Sequence, residues 1–343
     1  MYRIFVTRRI PDIGIEILRK QKNFRVDVYK EKDPAYETAA PIQRSVLLKK
    51  VKGVHAILVM LTEKIDTELM DAAGPQLKIV ANNAVGFDNI DIVEAKKRGI
   101  VVTNTPGVLN KSVAEHTIAL MFALAKRIVE ADTFTRAGKF KSWAPMLMIG
   151  TQLYGKTLGI VGGGRIGQMV AGFAHRGLNM NITYTDVIRY PELEKELGAK
   201  KVSLATLCKT ADVISIHVPL LPSTHHLIDT PQLNLMKKTA LLVNTARGAV
   251  VSEKAVLKAL YNKKIAGAAF DVFECEPLID CDITDHMALR KLPNVILTPH
   301  IASATKEARD EMAATAAKNI VAVLTGKKPL TPISPDHAAP SDR

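Results

Sequence analysis

Three side chains in the second half of this chain are of the types that hold an anion and move a proton. They are Arg247 in Asn-Thr-Ala-Arg-Gly, Glu276 in Phe-Glu-Cys-Glu-Pro and His300 in Thr-Pro-His-Ile-Ala-Ser. A guanidinium can grip a carboxylate in a fork and polarise the adjacent carbonyl, which an ammonium cannot do with the same geometry. An imidazole backed by a carboxylate is favoured in its protonated form and can donate to a developing alkoxide. These are the parts needed to bind a 2-oxo acid and protonate its carbonyl while a hydride is delivered. Each residue follows a short apolar run, at 240–244, 266–270 and 295–298. Side chains at the carboxyl ends of parallel strands converge on one crevice, where doubly wound sheets bind ligands. Singly, each could be a surface arginine, a solvated glutamate or a satisfied core histidine; three in succession at strand ends favour chemistry.

A site for a hydride carrier lies upstream. Gly162-x-Gly164-x-x-Gly167 follows the apolar run Thr157–Val161 and opens a helical pattern at Arg165 and Ile166. In that setting the first glycine makes a tight turn and the second admits a pyrophosphate. The third lets helix and strand pack closely, and the helix start supplies N–H groups. The acidic residue expected roughly 20 positions on is Asp186, whose carboxylate accepts from ribose hydroxyls and repels a 2′-phosphate. NAD(H) is therefore favoured. Arg189 keeps NADP(H) open, since a nearby arginine can accommodate that phosphate. His217, just before Pro219, reads either as cofactor-lining or as structural, and Thr245 lies beside the Arg247 turn. His55, His225 and His226 lack metal-ligand partners at suitable spacing, so no metal is expected. Cys208, Cys275 and Cys281 give neither metal spacing nor a disulfide framework, and Cys275 reads as a packing residue. Trp143, the only tryptophan, is either a core anchor or a contact at a pocket or interface.

Positioning such groups requires alternating strands and helices. Strand-like runs fall at 3–6, 25–29, 56–59, 78–81 and 101–103, then at 157–161, 181–185, 213–217, 240–244, 266–270 and 295–298. This spacing predicts an α/β chain with two parallel sheets. Between the series, 113–137 reads as one long helix opening on a Ser112-x-x-Glu115 capping box and stopping at Gly138. A closing helix spans 304–324, and 329–343 reads as a loose tail.

Composition narrows the function classes. With 343 residues, 47% of them apolar, the chain can build two ordinary cores. Its longest uncharged apolar stretch, near 119–125, is too short to span a bilayer. No leader precedes the first strand-like run, so a reducing cytoplasm is expected. The net charge of +13 is dispersed, with few aromatics beside the basic residues. That pattern argues against nucleic acid and for a field that concentrates anionic substrates.

The motifs together resemble the D-isomer-specific 2-hydroxyacid dehydrogenases, and among them the glyoxylate/hydroxypyruvate reductases. The resemblance runs from residue 3 to about 329. It is carried by Ile-Val-Ala-Asn-Asn-Ala-Val-Gly-Phe-Asp-Asn-Ile-Asp (79–91), Val-Thr-Asn-Thr-Pro-Gly (102–107), the glycine loop with its flanks (154–168), Asn-Thr-Ala-Arg-Gly (244–248), Phe-Asp-Val-Phe-Glu-Cys-Glu-Pro (270–277) and Leu-Thr-Pro-His-Ile-Ala-Ser (297–303). It implies a Rossmann coenzyme domain, 105–299, inserted into a discontinuous flavodoxin-like substrate domain, 1–104 with 300–330, and a flexible tail, 331–343. It implies that Arg247, Glu276 and His300 are catalytic. It makes Val85 and Gly86, with the Val59-Met60-Leu61 loop, a cradle for the substrate carboxylate, and Asp271 the holder of the nicotinamide carboxamide. It further implies a homodimer through the coenzyme domains, with Trp143 lent to the partner's pocket. Two departures stand out: Gly163 replaces a larger apolar residue, suggesting a floppier loop, and Asp186-Val187 replaces the Ser-Arg of NADPH-using relatives. The expectation is a cytoplasmic NADH-linked reductase of glyoxylate or hydroxypyruvate. The rivals are a dehydrogenase of phosphite, 3-phosphoglycerate or a bulkier 2-oxo acid, and an NAD(H)-sensing co-repressor-like protein.

Overall fold

The computed structural model describes residues 1–29, 41–276 and 288–334. The chain forms two compact units, Met1–Leu109 with Ala304–Arg343, and Asn110–Ser303. The crossings fall a few residues later than the motifs suggest, so His300 belongs to the same unit as Arg247 and Glu276.

The first unit contains β1 (Tyr2–Val6), β2 (Phe24–Val28), β3 (Ala56–Val59), β4 (Ile79–Asn82), β5 (Val101–Thr103) and, after the chain returns, β13 (Pro332–Ile333). The order is β13-β5-β4-β3-β1-β2, parallel except for the β13 edge. β3 and β4 are buried along their length, as expected of parallel strands covered on both faces. On one face Phe5, Ile57, Val59 and Val80 join a core with Leu69 and Met70. On the other, Ile4, Val6, Leu58 and Ile79 pack with Ala313, Ala316, Ala317 and Ile320 of helix Lys306–Leu324. Gly14 allows helix Asp12–Arg19 to approach that helix, because a Cβ there would lie 2.8 Å from the Ala313 carbonyl oxygen.

The loose tail predicted from 329 starts later. Pro332 and Ile333 pair with Thr103 and Val102, and the Thr331 hydroxyl donates to the Asn104 carbonyl at 2.6 Å. The β5 edge gives this segment backbone partners that its Pro-rich composition does not advertise. The remainder of the predicted tail, 335–343, lies outside the described residues. The returning helix starts at Lys306, capped by the Thr305 hydroxyl, which accepts from the Ala308 amide.

The second unit contains β6 (Thr157–Val161), β7 (Asn181–Thr185), β8 (Lys200–Lys201), β9 (Val213–Ile216), β10 (Leu241–Asn244), β11 (Gly267–Phe270) and β12 (Val295–Leu297). Their order is β12-β11-β10-β9-β6-β7-β8, all parallel. The edge strand β8 is two exposed lysines, so no apolar pattern could announce it.

The long helix predicted over 113–137 is two helices, Asn110–Ala125 and Ile128–Arg136. Ser112 lies buried within the first turns, so Ser112 and Glu115 do not form the opening cap. The break comes at Arg127, in the left-handed region at φ 56°, with its guanidinium paired to Glu130. The Ala125 carbonyl is taken by the Thr151 amide at 2.7 Å instead of by a further helical turn. Helix Ile128–Arg136 buries no residue, and Ile128, Val129, Phe140, Met146, Ile149 and Tyr154 are exposed, as is Trp143 at 81%. Trp143 is thus no core anchor. Among the described residues no helix is long and apolar enough to cross a membrane.

Candidate active site and coenzyme site

The glycine turn joins β6 to helix Arg165–Leu178. Gly162 has φ 100°, and a Cβ there would lie 2.7 Å from the His217 carbonyl carbon. A Cβ at Gly167 would sit 2.1 Å from the Gly162 oxygen, so close helix–strand packing demands glycine. At Gly164 a Cβ would meet nothing within 4 Å, and no side chain caps the helix that starts there. Open space over a glycine, facing uncapped amides, fits a pyrophosphate. Arg165 is exposed at this helix start, while Ile166 packs partly against the core.

Asp186, just past β7, accepts hydrogen bonds from the Gly163 amide at 2.7 Å and the Ile188 amide at 3.0 Å. Asp186 thus ties the middle of the glycine loop to the turn after β7. A Cβ on Gly163 would lie 2.6 Å from two Tyr190 ring carbons. The Tyr190 ring occupies the space that a larger residue at 163 would need.

His217 donates its backbone N–H to Val161, and its Nε2 pairs with the Ser215 hydroxyl at 2.8 Å. Burial pushes its pKa down to about 3, which keeps the ring neutral. The neighbouring Pro219 carbonyl accepts from the Thr224 hydroxyl at 2.6 Å. Thr245 is buried with its hydroxyl 2.9 Å from that of Thr117.

Arg247 stands three residues beyond β10. The Asn244 side chain accepts from the Ala246 amide at 3.0 Å and donates to the Arg247 carbonyl at 2.8 Å, closing the turn. The guanidinium Nη1 donates to the Ala246 carbonyl at 2.7 Å. A Cβ on Gly248 would fall 1.8 Å from the Phe273 carbonyl carbon, so the Arg247 turn lies directly on the segment leading to Glu276. That segment is pinned to helix Glu253–Tyr261, since Glu253 and Glu274 each accept from the other's backbone amide.

Glu276 accepts from His300 Nδ1. With Nδ1 so engaged, Nε2 is the ring nitrogen left to exchange a proton with a ligand. His300 has a left-handed backbone, φ 54°, uncommon outside glycine. Asp271 explains how that conformation is held, a role sequence reasoning missed. The fully buried carboxylate accepts from the Thr298 hydroxyl (2.6 Å) and the Ile301 (2.9 Å) and Ala302 (2.7 Å) amides. Its own carbonyl accepts from the His300 amide at 2.8 Å. His116 adds to the cluster, its Nε2 3.2 Å from the Thr298 hydroxyl. Burial alone would raise the Asp271 pKa, but hydrogen bonds from His116, Thr298, Ile301 and Ala302 outweigh it and hold the group below the usual carboxylate range. The sequence signal available was the short spacing from Thr298 to Ala302 beside an acidic strand end.

One cysteine reading is corrected: Cys275 is disulfide-bonded. Cys281 lies outside the described residues. Cys208 is a free, buried thiol whose pKa burial pushes up to about 11. His225 and His226 stack on each other, and His226 Nε2 lies 3.2 Å from a Glu274 oxygen.

In the first unit the loops at 59–61 and 85–86 are set by a buried polar network. Glu63 accepts from the Met60 amide (2.6 Å) and the Thr7 and Thr62 hydroxyls (both 2.8 Å). Asn89 donates to the Met60 and Glu63 carbonyls, Asn82 to the Gly86 carbonyl and Asn104 to the Val85 carbonyl. Val85 and Gly86 thus have their carbonyls tied back.

Residues 118–302 match the family model for the D-isomer specific 2-hydroxyacid dehydrogenase, NAD binding domain. A glyoxylate reductase of Korarchaeum cryptofilum is 48% identical over 328 residues, covering 95% of this chain and 94% of the relative. The crystal structure of the TT0316 protein of Thermus thermophilus superposes with a TM-score of 0.87 at 40% identity, covering 96% of this chain and 99% of that one. A D-lactate dehydrogenase of Aquifex aeolicus, solved with NAD and lactic acid, superposes with a TM-score of 0.80 at 30% identity, covering 94% and 96%. Identity of this extent reaches well beyond the unit that carries His300, and on it this chain belongs to the D-isomer specific 2-hydroxyacid dehydrogenases.

Proposed function

We propose that this oxidoreductase reduces a small 2-oxo acid, glyoxylate or hydroxypyruvate, to the D-2-hydroxy acid with NADH. The observation that carries the reading is the Glu276–His300 pair on a loop clamped by Asp271, beside the Arg247 turn. When bound, the nicotinamide supplies the hydride. His300 holds the proton at Nε2 and releases it to the oxygen formed from the carbonyl, with Glu276 fixing the ring at Nδ1 and balancing its charge. Arg247 binds the carboxylate and polarises the carbonyl. Gly162, Gly164, Gly167 and the amides of Arg165 and Ile166 hold the pyrophosphate, and Asp186 receives the ribose hydroxyls, which supports NADH over NADPH. His217, Pro219 and Thr245 line the coenzyme, while the Asp271 carboxylate is committed to the 298–302 loop. In the Val59-Met60-Leu61 loop the Met60 amide is taken by Glu63, so Leu61 together with Val85 and Gly86 would offer backbone N–H groups to the substrate carboxylate.

The exposed apolar surface over 128–154 supports a homodimer through this region, with Trp143 a contact to the partner, because apolar patches of this kind mark interfaces. The reduced-coenzyme chemistry and dispersed positive charge suit a cytoplasmic enzyme acting on anions. Initial rates of NADH oxidation with glyoxylate, hydroxypyruvate and bulkier 2-oxo acids test the assignment. Steady turnover with the two small acids is expected, and none with any 2-oxo acid would refute it.

A further inference from the structure

Arg189, the one feature of the sequence that favours a 2′-phosphate, is engaged elsewhere. Its Nε lies 3.1 Å from both Glu194 carboxylate oxygens, and its Nη2 lies 2.8 Å from Oε2. Glu194 is itself fixed, accepting from the hydroxyl of the buried Tyr184 at 2.7 Å. The same hydroxyl accepts from the Tyr190 amide at 3.0 Å, which ties the turn after β7 to the pair. Lys201, a second cation near this turn, donates to the Val187 carbonyl at 3.3 Å. Asp186, meanwhile, is held against the Gly163 amide. The turn that faces the glycine loop therefore presents a carboxylate and restrains its cations.

We propose that Glu194 determines coenzyme choice by holding Arg189 in a bidentate pair, so that Asp186 acts on the ribose unopposed by a guanidinium. The inference rests on Asp186 marking the ribose site and deepens that reading. An arginine released from Glu194 has the planar fork that matches a phosphate, whereas one engaged on both carboxylate oxygens contributes little to a second anion.

The test is calorimetric titration of NADH and NADPH, without substrate, against wild type, Glu194→Gln, Arg189→Ala and the double variant. The amide oxygen that Glu194→Gln retains can still accept from Tyr184. Glu194→Gln should tighten NADPH binding on the order of fivefold, as expected for one charge-assisted contact, with NADH affected less than about twofold. Arg189→Ala alone should leave NADPH affinity unchanged and in the double variant should abolish the gain. Unchanged NADPH affinity in Glu194→Gln, a gain that survives in the double variant, or weaker NADPH binding in Arg189→Ala alone would each overturn the proposal. Asp186→Ala separates the two ideas: if its NADH-to-NADPH affinity ratio equals that of wild type, the ribose reading fails. If only the Glu194 variants are silent, the latch alone fails.

Discussion

Asp271→Asn is the sharpest probe of how this chain places its acid–base histidine. The substitution keeps size and shape but replaces one acceptor oxygen with an NH2 group. With the remaining oxygen turned to Thr298 and Ile301, the new NH2 faces the Ala302 amide, now 2.7 Å from the carboxylate. Two donors then oppose each other in a buried place, which costs about 1–3 kcal/mol for the unsatisfied amide. The two surviving bonds lose their charge assistance, adding roughly 1 kcal/mol. A total of about 3 kcal/mol lowers the melting temperature of a unit of this size by about 6–12 °C. The loosened 298–302 loop no longer holds His300 at its left-handed φ, so kcat with glyoxylate should fall while coenzyme affinity changes less. The pH dependence has a defined sign. Because the folded-state pKa of Asp271 is depressed, its contribution is fully present above the unfolded carboxylate value near 3.9 and is lost as pH falls through the lower folded value. The gap in melting temperature between wild type and variant should be flat from about pH 8 to 5 and narrow only below about 4. A variant that melts within about 2 °C of wild type and turns over at the same rate would refute the clamp.

Other perturbations are expected to act as follows. His300→Ala should lower kcat by about 10²–10⁴ with NADH affinity nearly intact by titration; equal turnover would remove His300 from the chemistry. Asp186→Ala should reduce the kcat/KM preference for NADH over NADPH. Gly163→Leu should strain the glycine turn by about 1–3 kcal/mol because the Tyr190 ring stands in the way, and the added Tyr190→Ala change should recover most of the lost melting temperature. Failure of that rescue would show that the ring is not the obstacle. Trp143→Glu should shift the protein from dimer to monomer by light scattering after gel filtration; a wild-type monomer would overturn the dimer proposal.

Much of this was legible in the sequence because apolar runs and glycine spacing are local signals. Strands such as Ala56–Val59 and Thr157–Val161 are buried over most of their length, and their residue types declare it. The pairing of Glu276 with His300 followed from motif logic, since a carboxylate and an imidazole at adjacent strand ends have few other uses. The failures share a cause: the deciding partner is distant in the chain. The helix break at Arg127 depends on Thr151 and Gly150 returning to the Ala125 carbonyl. The space beside Gly163 is filled by the Tyr190 ring, and the order in 331–333 depends on β5. Asp271 looked like a ligand-facing acid, and only the fold reveals that three donors of the histidine loop meet it. The commitment of Arg189 to Glu194 was equally hidden, because an exposed arginine and a carboxylate five residues apart can pair in many geometries or in none.

The return of the chain to complete the first sheet constrains how the molecule can be made. Residues 1–109 leave the ribosome before the helix at 306–324, yet Ile4, Val6, Leu58 and Ile79 must wait for Ala313, Ala316, Ala317 and Ile320 of that helix. The second unit is continuous from Asn110 to Ser303, and all seven of its described strands precede that helix. Order of birth and order of maturation are therefore inverted, and released chains truncated before residue 306 should protect the later-born half from protease while leaving the earlier-born half open to it.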